Sequence, residues 1–252
     1  MSNLVESFEK AVVKLRRRRV SKVLFDRYRG EVQRGPFSGL KLDRKNSASK
    51  GQLGLKIFGL YESVVVEAIQ KHGPYGDLIN IGACDGYFTL GLLKSGLAKR
   101  SICFETVWTR QRAIRRYADN NGLGDQVVVM GKADQNIGFQ IAQHDFDPQD
   151  SLMICDIEGA EFDLLTENFL AQLSGTTMIV ELHDRFKNDH SLDQREDLIT
   201  RLPNGYQHQI LTWQPPNFSG IPDFDEMSDN DRALATSEGR KTRGEWLFAW
   251  PD

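Results

Sequence analysis

Cysteine is scarce in this chain: Cys84, Cys103 and Cys155 are the only three in 252 residues. They are too few and too scattered for a disulfide framework or a CxxC metal site, and they fit a cytoplasmic protein with reduced thiols. Long apolar runs are missing too. No stretch approaches the roughly 18 apolar residues that span a bilayer. Lys and Arg interrupt the N-terminal segment where a signal peptide would need an unbroken apolar core. The dinucleotide signature GxGxxG is absent, as are internal repeats and low-complexity tracts. What is present, 40% hydrophobic and 27% charged residues, argues for a folded globular chain and against a disordered, collagen-like or membrane-embedded one. One hydrophobic core serves up to about 250 residues, so one main domain with appendages is the simplest expectation.

The net charge of −3 hides an asymmetry. Residues 1–35 hold ten Lys/Arg against four Asp/Glu, a local +6 that leaves −9 on the remainder. The run Arg16-Arg17-Arg18-Arg19 lies among Val12, Val13, Leu15, Val20, Val23, Leu24 and Phe25, whose spacing fits a helix with one apolar stripe and a basic face. Such a helix either packs on the main domain with its arginines in water or uses residues 10–29 for peripheral contact with an anionic membrane. The acidic remainder disfavours a nucleic-acid partner, and none is expected. Residues 30–54, rich in Gly, Ser and Lys, read as a connector. The expected division is 1–55, a basic helix and connector, and 56–252, the main domain.

From residue 56 onward, short apolar strands alternate with helices. Strands are expected at Asp77–Ile81, Ser101–Phe104, Gln126–Met130, Leu152–Asp156, Thr177–Leu182, Gln207–Trp213 and Glu245–Trp250. Helices are expected over 60–71, from Phe88, and at Arg110–Asn120, Glu161–Leu173 and Leu192–Leu202. This alternation implies an α/β fold with a doubly wound, mostly parallel sheet of seven strands. The last two strands have only a polar loop between them, from about Gln214 to Arg243, which suggests an antiparallel pair at the edge. Ligands of such sheets sit beyond the carboxyl ends of the strands, where strand order reverses, so the residues following each strand carry the functional information.

Four such places stand out. The first strand runs into Gly82-Ala83-Cys84-Asp85-Gly86, a tight turn ahead of a helix N-terminus. Glu105 closes the next strand, where a carboxylate can accept both hydroxyls of a ribose, or else sits as a surface acid beside Arg110 and Arg112. Asp156, Glu158 and Glu161 follow the fourth strand. Glu161 fits best as an acid at the positive end of a helix. His183, in Glu181-Leu182-His183-Asp184, is the one histidine at a strand terminus and so the natural base titrating near neutrality.

The ordered motifs from Ile79 to Phe88, then Phe104-Glu105, Asn120-Asn121-Gly122 and Asp156-Ile157-Glu158-Gly159-Ala160-Glu161 resemble the FkbM-type methyltransferases of the class I, S-adenosylmethionine-dependent superfamily, over roughly residues 58–184. The resemblance implies a Rossmann-like fold and places S-adenosylmethionine against Asn80, Gly82, Ala83, Cys84, Asp85 and Gly86. Glu105 and Thr106 would meet its ribose, Asp134 its adenine, and Asp156 its sulfonium. Tyr61, in a stretch resembling one before the first motif in some relatives, joins this set. Asn80 departs from the acid common at its position, and Thr106 and Trp108 replace a proline-rich turn.

Relatives of this type methylate hydroxyls of sugars, polysaccharides and polyketide-like products, so O-methylation of a glycan or other small-molecule hydroxyl is the expected activity. His183 would take the proton, oriented by Asp156 or Asp184. Asp156, Glu158 and Asp184 are an alternative set for Mg2+. The aromatics Trp213, Phe218 and Phe224 of the polar loop suit a sugar ring, and a homo-oligomer remains open. The competing expectation is a non-catalytic nucleotide- or cofactor-binding module recruited through its basic helix.

Overall fold

The computed structural model describes residues 2–44, 50–183, 191–240 and 242–252, without the side chains of 2–5 and 191–193. The chain forms two compact units, residues 1–63 with 214–241, and residues 64–213 with 242–252. The sequence reading put a single boundary at 55/56. Nothing local marks the return of 214–241 to the first unit, because its anchoring residues are dispersed among Pro and Asp.

The second unit is built on a seven-stranded sheet: β1 (Tyr75–Ile81), β2 (Ala98–Phe104), β3 (Val127–Met130), β4 (Ser151–Cys155), β5 (Thr177–Glu181), β6 (Tyr206–Thr212) and β7 (Glu245–Pro251). Their order is β3-β2-β1-β4-β5-β7-β6. The first five strands pair in parallel, and β7 runs antiparallel to both β5 and β6. The expected seven strands, parallel arrangement and antiparallel pair at one edge are all present.

The strands are continuous apolar runs because both faces of the sheet are covered. Alternate residues point to opposite faces. Ile79, Ile81, Ile102, Phe104, Met153, Cys155, Met178 and Val180 pack in one core with Ile137, Phe162, Phe169, Leu170 and Leu198. Cys103 and Val129 pack with Ala83 and Ile114 in another. Burial pushes the Cys103 thiol up to about 12 and Cys155 well up, so neither is a nucleophile at neutral pH. The connecting helices are α3 (Ser63–His72), α4 (Tyr87–Lys94), α5 (Trp108–Asn120), α6 (Ile137–Ala142), α7 (Glu161–Leu164), α8 (Glu167–Ala171) and α9 (Ser191–Thr200). The single helix expected over 161–173 is two short ones. Thr166 is extended, and its hydroxyl accepts the Phe169 N–H at 3.2 Å as a fresh N-cap.

The first unit holds α1 (Ser2–Arg27), α2 (Leu53–Ile57), α10 (Pro222–Asp225) and α11 (Asp229–Ala235). Its core joins Val20 and Leu24 of α1 to Ile57, Phe58, Ile221, Phe224 and Ala235. The basic run is divided within this unit. Arg17 is half-buried, its guanidinium lying so close to Gly51 and Gly239 that a side chain at either would collide with it. Arg16 pairs with Asp231 at 2.9 Å, while Arg18 and Arg19 are exposed. Phe224 is fully buried and Phe218 packs on it with ring centroids 5.6 Å apart, so these two rings serve the core and not a sugar platform. No helix among the described residues is long and apolar enough to cross a membrane.

Candidate functional site

The strand order reverses between β1 and β4, which flank the turn at Gly82. Gly82 has φ +88°, and a Cβ there would lie 1.8 Å from the Asp156 carbonyl oxygen. Its glycine is thus required by the close approach of the β4 end. The Gly82 and Ala83 N–H groups donate to Phe104 O at 2.9 and 3.1 Å. Cys84, also left-handed at φ +54°, donates its N–H to Glu105 Oε2 at 3.0 Å. The other Glu105 oxygen accepts the Val107 N–H at 2.7 Å, and Arg110 stands 3.8 Å away. The carboxylate that closes β2 therefore fixes the loop that follows β1. An ionised carboxylate has about four acceptor positions, and these backbone bonds leave capacity for a diol. Gly86, at φ +79°, ends the turn as the N-cap of α4, and Asp85 Oδ1 accepts the Tyr87 N–H at 3.2 Å.

On the other side of the reversal lies a cluster of acids around one imidazole. Glu161, fully buried, accepts from Gly159 N–H at 2.8 Å through Oε2 and from the His183 backbone N–H at 3.0 Å through Oε1. The same Oε1 stands 3.1 Å from His183 Nδ1. His183 Nε2 faces Asp156 at 3.8 Å, Glu158 at 3.8 Å and Glu181 at 3.9 Å. Burial disfavours charge on this imidazole, but the Glu161 hydrogen bond and the charges of Glu161, Glu181 and Asp156 outweigh it and raise His183 to about 9. Burial likewise pushes the Glu161 carboxyl up, and the bonds from His183 and the backbone overcome it and hold it below its ordinary value. The expected titration near neutrality is corrected accordingly. At neutral pH His183 is an imidazolium that compensates the surrounding carboxylates.

Other expected site residues are more dispersed. Asn80 is buried and donates to Thr89 Oγ1 of α4 at 2.9 Å, behind the turn. Thr106 and Asp134 are exposed, with Asp134 Oδ1 accepting the Asn136 N–H at 2.8 Å within its own turn. Tyr61 belongs to the first unit, where the Lys56 ammonium lies 4.8 Å from its ring centroid. Asp184 lies outside the described residues. Two members of the cluster were not among the expected catalytic, cofactor or metal residues. Glu161 was taken as a helix-starting acid and is both that and the partner of His183, while Glu181 is a strand residue whose charge is out of keeping with its apolar neighbours.

Among the described residues, the donor atoms that come within 4.8 Å of one another belong to Asp156, Glu181 and His183, and of the expected set Asp156, Glu158 and Asp184 the last lies outside the described residues. Glu158 has a side chain 88% exposed. Mg2+ takes oxygen ligands in near-ideal octahedral geometry, and one of these three donors is an imidazole nitrogen. The residues present do not fit Mg2+, and no step is assigned to it.

No protein-family model matches the chain, and no curated protein sequence matches it. Solved structures do. An O-methyltransferase from Bacillus cereus, in complex with SAH, is 16% identical with a TM-score of 0.50, over 77% of this chain and 80% of that one. A tRNA methyltransferase from B. subtilis is 14% identical with a TM-score of 0.46, over 74% of this chain and 64% of that one. The likeness to the Bacillus cereus protein is one of fold, and the FkbM-type resemblance rests on the sequence motifs alone. The chain has the Rossmann-like fold of the class I, S-adenosylmethionine-dependent methyltransferases.

Proposed function

We propose that this protein is an S-adenosylmethionine-dependent methyltransferase of FkbM type that methylates a hydroxyl oxygen, with a sugar or glycoside as acceptor. The observation that carries the reading is the pair of devices on either side of the β1/β4 reversal: a glycine turn bound to Glu105, and an imidazole held by Glu161. The acids at these strand ends also suit a cofactor whose sulfonium and ammonium are cationic.

When bound, that cofactor supplies a methyl group already activated as a sulfonium. Glu105 would hold the ribose hydroxyls, the Gly82–Gly86 turn the amino-acid portion, and Asp156 the cationic part of the cofactor. The chain's remaining tasks are to align the acceptor and to take one proton. The neutral form of His183 takes it at Nε2, since Nδ1 is engaged by Glu161. Glu161 is a positioning residue that fixes the ring and its tautomer.

The test is methyl transfer to a panel of glycosides by the unaltered protein and by His183→Ala. General-base catalysis contributes typically about 10²–10⁴-fold, so the variant should lose about that much kcat while still binding S-adenosylhomocysteine. Undiminished turnover by His183→Ala would remove the base assignment.

A further inference from the structure

Helix α1 has two apolar faces, and only one of them is used. Val20, Ser21 and Leu24 are buried, and Arg17 and Tyr28 half-buried, all along the side that meets α2, α10 and α11. Phe8, Val12, Leu15, Arg19 and Val23 follow one another at steps of three and four and so share the opposite face. On that face Phe8 is 71% exposed, Leu15 64%, Val23 53% and Val12 44%. Isolated apolar residues on a surface need no explanation, but a row of them along one helix face marks an interaction site. The sequence expectation of a single stripe is corrected here: part of the stripe is docked and part points outward.

The polar company of the outward row is cationic. Arg18 and Arg19 are exposed beside it. Of the acids on α1, Glu6 is engaged by Lys10 and Asp26 by Lys22 and Arg44, and Glu9 is one exposed acid in the same turn as Phe8. We propose that this face of α1 docks on an anionic phospholipid surface. Phe8, Val12, Leu15 and Val23 enter the headgroup boundary, and Arg18 and Arg19 meet lipid phosphates. An amphipathic helix with large apolar residues on one side and Lys/Arg flanking them binds in this way. Charge complementarity selects this occupant over a second copy of the chain. A parallel partner helix would set Arg19 against Arg19, and an antiparallel one would set Arg19 against the apolar half of the row.

The experiment is co-sedimentation of the full chain with phosphatidylcholine vesicles and with vesicles that also contain phosphatidylserine. Phe8→Ser/Leu15→Ser and Arg18→Gln/Arg19→Gln are run beside it. All four positions are exposed, so both variants should keep the melting temperature of the parent chain. The expected result is binding to anionic vesicles alone, falling with added salt, lost with the serine pair, and reduced roughly fivefold per cation removed in the glutamine pair. Absence of vesicle binding overturns the proposal, as does equal binding to both vesicle types. So does binding of duplex RNA in place of vesicles, or a dimer in light scattering that the serine pair dissolves while vesicles are ignored.

Discussion

A single carboxylate decides what His183 can do. With Glu161 at 3.1 Å and three further acids near its other nitrogen, the imidazole keeps its proton to about pH 9. As a base it must be neutral, so kcat should rise with pH and level off only above about 9. Glu161→Gln removes a large influence that raises this value, leaving the opposing burial in place. The rising limb should therefore move to lower pH, as read from a kcat–pH profile. A limb that stays put would reduce Glu161 to a packing role. Sequence spacing could not separate these roles, because an acid three residues before a helix's apolar positions is stabilised by the helix dipole whether or not a histidine approaches from another strand. That approach is set by β5 lying beside β4, a long-range fact with no local signature. His183 itself was legible because a polar residue ending an apolar strand has few structural reasons to be there.

Among the elements, the strands were readable and the breaks between helices less so. Burial on both faces imposes continuous apolar runs, which single out β1, β2, β4 and β5 in the sequence. The break in 161–173 depends on one hydroxyl, since Thr166 accepts the Phe169 N–H and starts α8 anew. Thr166→Ala should cost about 1 kcal/mol of stability in a denaturant titration, the usual worth of such a cap. The helices at 222–225 and 229–235 were hidden because they are short and acidic, held by Phe224 in the core and by the Ser228 cap. The turn after β1 was visible as glycines, and a close backbone approach adds to the tight turn that was expected. Gly82 is required by the Asp156 carbonyl at the end of β4 and by its left-handed backbone. Gly82→Ala should lower stability by more than the ~1–2 kcal/mol of the left-handed backbone alone, and should weaken cofactor binding by displacing the strand ends. A variant with unchanged melting and binding would contradict that packing.

For the whole molecule, the charge asymmetry resolves into two different surfaces. The basic segment belongs to the first unit, where Arg16 and Arg17 are engaged internally and Arg18 and Arg19 face water. In the second unit Asp85, Glu105, Asp156, Glu158, Glu161 and Glu181 lie at the carboxyl ends of β1, β2, β4 and β5, where a cationic cofactor would be received. The sequence placed Gly82, Glu105, Asp156 and His183 at these ends, and the sheet order brings those ends to one edge. The central claim is that this edge binds S-adenosylmethionine. Its most direct test is calorimetric titration of the full chain with S-adenosylhomocysteine, beside Glu105→Ala. Hydrogen bonds to a charged group are worth about 1.5–3 kcal/mol, so saturable binding is predicted, with a loss of at least about tenfold in the variant. No binding by the unaltered chain, or equal binding by both, would contradict the account.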